Sequence, residues 1–427
     1  MSDAAHGYGR ERQSAIYRAG VSGRRPAVPT EYSALRRKAR RKSSAAGWAY
    51  VDGGAGSGAT MRANQEAFGK WAIVPRMLRD VSERDLSVEL FGRRLPAPVL
   101  FAPIGAADLV HPSADLGIAA AAARLGVPYI FSSQACAPME RCAEVMGAAP
   151  RWFQLYWSTD EQLVDSFLER AERSGAEAVV VTLDTTLLGW RPQDLDLGSL
   201  PFAQGRGIAQ YTADPRFRRM IRDRLGTASA EGSDVRPTLS ALRALLSMSR
   251  RFPGPLLRNL RSPEPRKAVE TFLGTYSRPS LNWSDVDTLR ARTKLPIVLK
   301  GVLHPDDARR AADAGVDGIV VSNHGGRQVD GSIAALDALA EIAPVVGDRM
   351  RVLFDSGIRG GADVFKALAL GAHAVAIGRP YLHGLAIAGA AGAHDAVADI
   401  IAEFDLTLGL SGCTSVAELG PDALRRT

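Results

Sequence analysis

The sequence is poor in cysteine and in long apolar runs. Its 427 residues include only three cysteines, Cys136, Cys142 and Cys413, and no CxxC pair. This scarcity excludes a disulfide scaffold or a structural zinc site and is typical of the reducing cytoplasm, which is the expected location. No uncharged apolar run reaches about 18 residues, the length that spans a bilayer, so we expect no membrane insertion. No apolar stretch follows Arg10 and Arg12, which argues against a secretory signal.

Positive charge is in excess in only two segments. The net charge is +7, but residues 1–42 and residues 213–267 each carry a surplus of +8, and the remainder carries −9. A nucleic-acid-binding surface places basic groups along the phosphates, preferably with stacking aromatics or a reading helix. Neither feature is visible, so we expect no nucleic-acid partner.

A helix-like run that ends at glycine and is followed by a β-rich run recurs along the chain. Glycine provides the left-handed conformation that ends a helix, and uninterrupted Val/Ile runs suit strands buried on both faces. Eight strand candidates result: 96–103, 127–133, 151–157, 178–184, 295–301, 318–326, 351–357 and 374–380. Eight such units predict the α/β class and a closed (β/α)8 TIM barrel. A doubly wound sheet would begin with a GxGxxG turn after its first strand, whereas Gly53–Gly58 precedes every convincing strand.

Two segments fall outside the predicted barrel domain of residues 31–427. Residues 1–30 are polar and Arg-rich and are interpreted as a mobile arm. Residues 192–282 form a long insertion after the fourth strand. Insertions of this length are often functional, so we expect a lid over the catalytic rim; the alternative is a peripheral subdomain used in subunit contacts.

The strongest chemical signal is SNHGGRQ at 322–328, after the sixth predicted strand. His324 could act as a general base near neutral pH, and Arg327 could bind a carboxylate through two parallel hydrogen bonds. Arg191, in the motif GWRP, is a second arginine at the same rim. Together these residues predict a pocket for an anionic substrate.

A phosphate site is predicted after the last two strands. Gly357, Arg359, Gly378 and Arg379 follow strands seven and eight, where barrels often bind phosphate through loop amides and helix N-termini. The alternative is that both arginines form salt bridges at the rim. The glycines beside both arginines favour cofactor binding.

Several motifs together resemble the FMN-dependent α-hydroxy-acid oxidases and dehydrogenases over about residues 32–424. They are YVDGG (50–54), FAPIG (101–105), FQLYW (153–157), LDTTLLGWRPQD (183–194), LKGVLHPDDA (299–308), SNHGGRQ, LFDSGIRGGADVFKALALGA (353–372) and IGRPYLHG (377–384). FAPIG, GWRP, FDSGIR and the long insertion are most similar to the lactate monooxygenase branch.

The resemblance implies FMN as cofactor, no metal, and a role for each matching residue. His324 is the implied catalytic base, with Asp184 as its partner and Tyr156 beside the reacting carbon. Tyr50, Arg191 and Arg327 are the implied ligands of the substrate carboxylate. The implied flavin contacts are Pro103, Ile104, Gly105, Ser132, Gln154, Thr182, Lys300, Ser322 and Asp355, in addition to the four phosphate-site residues.

The expected reaction is oxidation of an L-2-hydroxy acid to its 2-oxo acid with dioxygen. Oxidative decarboxylation of lactate to acetate, CO2 and water is favoured, because Gly105 occupies a position where many family members have alanine. Gly105→Ala is therefore expected to change mainly the reaction with oxygen.

Alternatives to that reaction stay open. One is an oxidase that releases hydrogen peroxide, or a quinone-linked dehydrogenase, acting on a larger or more polar acid. Gln134 and Asp52 favour it, because they depart from the family pattern. A non-enzymatic phosphate-binding barrel is the remote alternative. The family resemblance also implies a homo-tetramer or homo-octamer.

Overall fold

Eight parallel strands close into a barrel in the computed structural model, which describes residues 7–226 and 238–427. The strands follow chain order around the barrel, and the last pairs with the first through Val375 and Val99. All eight predicted strands are present, so the predicted TIM barrel is confirmed. Their bounds are Val99–Phe101, Tyr129–Phe131, Arg151–Leu155, Val179–Thr182, Ile297–Val302, Gly318–Val321, Arg351–Phe354 and Ala374–Ile377.

One main helix accompanies each strand on the outside of the barrel. In chain order these helices are Ala114–Leu125, Met139–Met146, Glu161–Arg173, Trp283–Leu289, Pro305–Asp313, Ala335–Val346, Gly361–Ala369 and Arg379–Leu410. The predicted helix-ending glycines at 126, 175, 315 and 371 all have positive φ, between 68° and 100°. This is the left-handed conformation that glycine adopts without steric cost.

A short antiparallel hairpin closes the amino end of the barrel. Its strands, Val88–Leu90 and Arg93–Leu95, place Leu90 and Leu95 in one apolar cluster with residues from inside the barrel. The ring of Phe91 lies 5.4 Å from that of Trp152, which is near the start of the third barrel strand. The carboxyl end of the barrel is therefore the end available for a binding site.

The last helix, Arg379–Leu410, is long and apolar enough to meet the length and composition criteria for a membrane span. Two observations explain its composition within the barrel. About two thirds (67%) of its apolar window is buried inside the protein, and its backbone leaves helical geometry at Ala388 and Gly389. It contacts the helix Ala114–Leu125 and the N-terminal helices Tyr8–Val21 and Tyr32–Lys42.

The N-terminal segment differs from the predicted mobile arm. Residues Tyr8–Val21 form a helix whose Gly9 amide donates to Asp405, at 2.8 Å, and whose Arg12 donates to Asp399, also at 2.8 Å. This helix is polar, and its partners Asp399 and Asp405 lie almost 400 residues later in the chain. Its packing against the barrel could therefore not be predicted from the local sequence. Residues 1–6 of the predicted arm lie outside the described residues. The helices Tyr32–Lys42, Ala45–Asp52 and Ala59–Gly69 follow.

The insertion after the fourth strand is mainly helical where it is described. Its helices are Pro192–Asp196, Ala209–Ala213, Pro215–Gly226, Leu239–Arg251, Leu256–Arg261 and Glu264–Leu273, with a 3-10 turn at Pro201–Gln204; residues 227–237 lie outside the described part. The buried Arg170, on a barrel helix, donates to Asp214 of the insertion at 3.1 Å. After residues 227–237, the carbonyl of Thr275 in the insertion accepts a hydrogen bond from the hydroxyl of Ser158, just after the third barrel strand, at 2.8 Å. The insertion is therefore fixed to the barrel on both sides of residues 227–237.

Candidate active site

A cavity of about 1060 Å³ lies at the carboxyl ends of the barrel strands. This volume includes the space at the mouth of the cavity that is open to solvent. Most of the predicted site residues line it: Tyr50, Pro103, Ile104, Gly105, Tyr156, Arg191, Lys300, His324, Arg327, Asp355, Gly357, Arg359, Gly378 and Arg379. The predicted residues Ser132, Gln154, Thr182, Asp184 and Ser322 are not in its wall.

His324 is held by Asp184. The Nδ1 atom of His324 lies 2.9 Å from Oδ1 of Asp184. An ionised carboxylate only accepts hydrogen bonds, so Nδ1 carries the proton and Nε2 of the neutral ring is free to accept one. The backbone of His324 has φ 59°, and its amide donates to the Ser322 hydroxyl at 3.0 Å. The strained loop therefore directs the ring into the cavity wall.

Burial and nearby charges keep His324 neutral and Asp184 ionised. Burial is the largest cause lowering the pKa of His324, and the charges of Lys300 and Arg191 lower it further, against the opposite effect of Asp184. For Asp184, burial alone would raise the pKa, but His324 and Lys300 bring it below its ordinary value. A neutral imidazole beside an ionised carboxylate is the form in which a histidine acts as a general base.

Two arginines face the same end of the cavity. Arg327 donates to the backbone carbonyls of Tyr50 and Gly53, the latter at 3.0 Å, and its guanidinium carbon lies 5.0 Å from the Tyr50 ring centre. Arg191 donates to the Arg327 carbonyl at 3.1 Å. Burial, followed by the charge of Arg191, lowers the pKa of Arg327 to about 9. The buried Arg191 and the partly buried Arg327 are two cations at one end of the cavity, which favours an anion between them, such as a substrate carboxylate.

Two tyrosines at this end of the cavity stay protonated. Burial raises the pKa of Tyr50, although Arg327 and Arg191 oppose this effect. Burial, followed by the charge of Asp184, raises the pKa of Tyr156. Both phenols can therefore donate hydrogen bonds to a bound substrate.

Lys300 is a buried cation in the middle of the site. Its ammonium lies 3.0 Å from Oδ2 of Asp355 and donates to the Ser322 hydroxyl at 2.7 Å. Burial alone would lower the pKa of Lys300, but the charges of Asp355 and Asp184 raise it above its ordinary value. Lys300 therefore stays charged and can stabilise negative charge in the cavity.

The polar residues outside the cavity wall form a row across neighbouring strands. The Ser132 hydroxyl donates to the Gln154 side-chain oxygen at 3.1 Å, and the Gln154 amide donates to the Thr182 hydroxyl at 2.9 Å. All three residues are buried. Their contact with the flavin stays a prediction, since in this structure they satisfy one another.

The phosphate-site residues fit a bound phosphate. The guanidinium of Arg359 has a buried Nε that finds no hydrogen-bond partner among the described residues. Burial, followed by the charge of Arg359, lowers the pKa of Arg379 to about 10. In the described ranges 7–226 and 238–427, no carboxylate lies within ion-pair distance of either guanidinium, so rim salt bridges do not explain them. The helices beginning at Gly361 and Arg379 add the positive ends of their dipoles.

Further residues that shape the site were missed from the sequence. Gln328 joins two loops, because its amide nitrogen donates to the carbonyls of Asp184 and Leu187 while its oxygen accepts from Arg191. Gly301, with φ 104°, is required because a Cβ there would lie 2.8 Å from that of Asp184. The motifs SNHGGRQ and LKG contain both residues, but only the folded geometry shows what they contact.

The cavity wall also includes two aromatic residues that the sequence did not single out. Phe202, from the insertion, and Tyr276, which follows its last helix, line the cavity with their ring centres 6.4 Å apart, and Tyr276 is close enough to Arg191 to feel its charge. A group of three or more metal-ligating side chains is absent from the described parts of the chain. The two aromatic rings add apolar surface to the cavity wall beside the cationic groups.

Comparisons with known proteins agree with this geometry. The profile of the FMN-dependent dehydrogenase family matches residues 39–426. The FMN-dependent alpha-hydroxy acid dehydrogenase qulF of Penicillium citrinum is 40% identical over 423 residues, which is 97% of this chain and 95% of the relative. The L-lactate oxidase of Lysinibacillus sphaericus is 39% identical over 92% of this chain and 91% of its own.

A similar solved structure is that of mandelate oxidase with (S)-4-hydroxymandelic acid. It has a TM-score of 0.75 and 35% identity, and the match covers 93% of this chain and 99% of that one. The chain belongs to the FMN-dependent dehydrogenase family and is an FMN-dependent oxidoreductase of α-hydroxy acids.

Proposed function

We propose that the protein is a dioxygen-dependent oxidase of L-2-hydroxy acids whose side chain is larger than methyl and carries a hydrogen-bonding group. The observation that carries this proposal is Gln134. It lines the cavity and is only 9% exposed, yet its side-chain amide makes no hydrogen bond within residues 7–226 and 238–427. With lactate the amide would remain unpaired, which costs about 1–3 kcal/mol.

The other side chains that line the cavity with Gln134 suit an apolar group on the substrate. Leu187, Leu188, Phe202 and Tyr276 line the cavity together with Gln134. A substrate with an aromatic ring and a polar tip would use both features. The solved relative contains (S)-4-hydroxymandelic acid, which has this character. 4-Hydroxymandelate is therefore the best single probe of the proposal.

The residues of the site divide the work of oxidation. Arg191 and Arg327 bind the carboxylate, and the phenol of Tyr50 lies in the same wall. FMN, when bound, supplies the acceptor for two electrons. Nε2 of His324 accepts the proton that the substrate loses, and Asp184 stabilises the resulting imidazolium through Nδ1. The balanced reaction converts the 2-hydroxy acid and dioxygen into the 2-oxo acid and hydrogen peroxide.

Anaerobic flavin reduction tests the substrate assignment. The holoenzyme is mixed with glycolate, lactate, mandelate and 4-hydroxymandelate, and the bleaching of the flavin is followed. We expect 4-hydroxymandelate to reduce the flavin at least about tenfold more efficiently than lactate, from the cost of an unpaired amide. Gln134→Leu should reduce the preference for 4-hydroxymandelate over mandelate. Fastest reduction by lactate, unaffected by Gln134→Leu, would contradict the proposal.

A second candidate is the lactate monooxygenase reaction, in which lactate and dioxygen give acetate, CO2 and water. The supporting observation is that Phe202 and Tyr276, from the long insertion, line the cavity. This reaction needs a retained 2-oxo acid, and apolar rings at the wall would slow its release. Gly105 supports it less than the sequence suggested. A Cβ at this position would lie 2.7 Å from that of Gln134, so packing alone accounts for glycine. Product analysis separates the candidates: acetate and CO2, or pyruvate and peroxide.

A further inference from the structure

The phosphate-site arginine Arg359 rests on a tyrosine from the N-terminal segment. The guanidinium carbon of Arg359 lies 4.7 Å from the ring centre of Tyr32. Within residues 7–226 and 238–427, this guanidinium donates a 2.8 Å hydrogen bond to the Ile358 carbonyl, and its buried Nε has no hydrogen-bond partner. Because no carboxylate fixes this cation in the described parts of the chain, the aromatic face is its main lateral support.

Tyr32 is itself held in place by two groups of side chains. It packs with Ile387 against a small cluster of Val28, Leu35 and Ala396, which joins the N-terminal segment to the last barrel helix. On another side, the ring of His383 lies 5.8 Å from that of Tyr32. His383 in turn stacks on Trp48 at 5.5 Å and 19°. The position of the Tyr32 ring is thus fixed by packing.

The helix Tyr32–Lys42, which contains Tyr32, also makes an indirect contact with the second phosphate-site arginine. Arg36, one turn after Tyr32, forms a two-pronged pair with the buried carboxylate of Asp52, with Nε at 2.9 Å from Oδ1. Asp52 ends the helix that contains Tyr50. The carbonyls on either side of Asp52, those of Val51 and Gly53, accept hydrogen bonds from Arg379 at 3.1 and 2.9 Å.

Tyr32 and Arg36 lie outside the part of the chain that the family profile matches. That match begins at residue 39, although the phosphate arginines themselves are well inside it. The N-terminal helix Tyr32–Lys42 therefore places Tyr32 against Arg359 and, through the pair of Arg36 with Asp52, holds the segment whose carbonyls bind Arg379.

We infer that Tyr32 is a positioning residue for FMN, which holds the Arg359 guanidinium toward the cofactor phosphate. Arg359 and Arg379 are partly buried cations that line the same cavity and repel each other, so Arg359 without support would turn away from Arg379. The electron-rich face of Tyr32 offsets this repulsion and leaves the unpartnered Nε available to a phosphate oxygen. The proposal rests on the family's cofactor and is independent of the proposed substrate.

Cofactor affinity in the absence of substrate tests this inference. The apoprotein is titrated with FMN and, separately, with riboflavin, which lacks the phosphate, and quenching of flavin fluorescence gives Kd. Tyr32→Leu keeps apolar bulk but removes the aromatic face, so the Kd for FMN should rise about threefold to thirtyfold. Tyr32→Phe should keep the wild-type value. The Kd for riboflavin should stay unchanged in both variants.

Controls separate positioning from general destabilisation. Tyr17→Leu, at a tyrosine that is 71% exposed on the preceding helix, should leave both Kd values unchanged. In an Arg359→Gln background, Tyr32→Leu should have no further effect on FMN binding. If Tyr32→Leu lowers Tm, Tyr32→Met provides a second apolar replacement. The inference is overturned if FMN binds Tyr32→Leu as tightly as the wild type, or if FMN and riboflavin weaken equally.

Discussion

The Nδ1 atom of His324 and the Oδ1 atom of Asp184 lie 2.9 Å apart, although 140 residues separate them in the chain. The two residues follow strands six and four of one barrel, whose carboxyl ends share a rim. This contact fixes the proton on Nδ1 and leaves Nε2 as the base. The proposed chemistry depends on this arrangement more than on any other pair.

Asp184→Asn should slow anaerobic flavin reduction by at least about 100-fold, since a neutral amide cannot stabilise the imidazolium. FMN affinity should be unchanged, because the phosphate site lies on strands seven and eight. Stopped-flow reduction and an FMN titration measure the two quantities. Asp313→Asn, at an exposed carboxylate paired with Arg349, is the matched control and should leave both unchanged. Wild-type reduction by Asp184→Asn would remove Asp184 from the mechanism.

The pH dependence of kcat/KM should report the pKa of His324 in the enzyme without bound substrate. Burial, Lys300 and Arg191 lower its pKa below the ordinary 6.5, and the neutral ring is the active form. Activity should therefore rise as pH increases through an inflection below 6.5 and stay level near neutrality. Because Asp184 raises the pKa of His324, Asp184→Asn should move the residual inflection to lower pH. An inflection above 6.5 in the wild type would contradict this assignment.

The barrel was predictable because its signals are local. Each buried strand is a short Val/Ile-rich run, and Gly126, Gly175, Gly315 and Gly371 end helices in the left-handed conformation that only glycine adopts freely. The N-terminal helix was not predictable. Its docking depends on Asp399 and Asp405, which no local pattern connects with Gly9 or Arg12.

The active site divides in the same way. His324, Arg327 and Arg191 could be chosen because their types and motifs predict chemistry at a barrel rim. Gln328 could not, since its role as a link between two loops exists only after the fourth and sixth strands pair with the fifth. The close packing of Gln134 against Gly105 was likewise not predictable, because the two residues lie on different loops and only the folded structure brings them together.

Arg327→Lys should weaken substrate binding about tenfold to 100-fold, because an ammonium cannot form the two-pronged carboxylate contact. It also loses the paired contacts of Arg327 with the Tyr50 and Gly53 carbonyls. The Kd of a 2-oxo acid product, measured from the change in flavin absorbance, isolates binding from chemistry. Arg349→Lys, at an exposed ion pair, serves as control. An unchanged Kd in Arg327→Lys would mean that Arg327 does not bind the carboxylate.

Gly105→Ala should disturb the substrate half of the reaction as well as the reaction with oxygen. A Cβ at position 105 would lie 2.7 Å from the Gln134 Cβ and 2.9 Å from the Gln134 carbonyl oxygen. That carbonyl accepts a 2.9 Å hydrogen bond from Ala106, so neither loop can yield without losing a contact. Overpacking of this kind costs about 1–3 kcal/mol, and displacement of Gln134 carries the strain to the substrate.

Stopped-flow measurement of both half-reactions decides between this expectation and the one drawn from the sequence. We expect anaerobic reduction of Gly105→Ala by mandelate, which lacks the ring hydroxyl that Gln134 would bind, to fall about tenfold or more. Partial recovery is expected in Gly105→Ala/Gln134→Gly, where the clash with the Gln134 Cβ is removed and the one with its carbonyl oxygen remains. Gly69→Ala is the control, because a Cβ there meets no atom within 4 Å. The prediction fails if Gly105→Ala reduces its flavin at the wild-type rate and changes only the rate of reoxidation by oxygen. The loops of Gly105 and Gln134 would then accommodate the added methyl group without affecting the substrate. Gly105 would then act on oxygen access alone, as its place in the FAPIG motif first suggested.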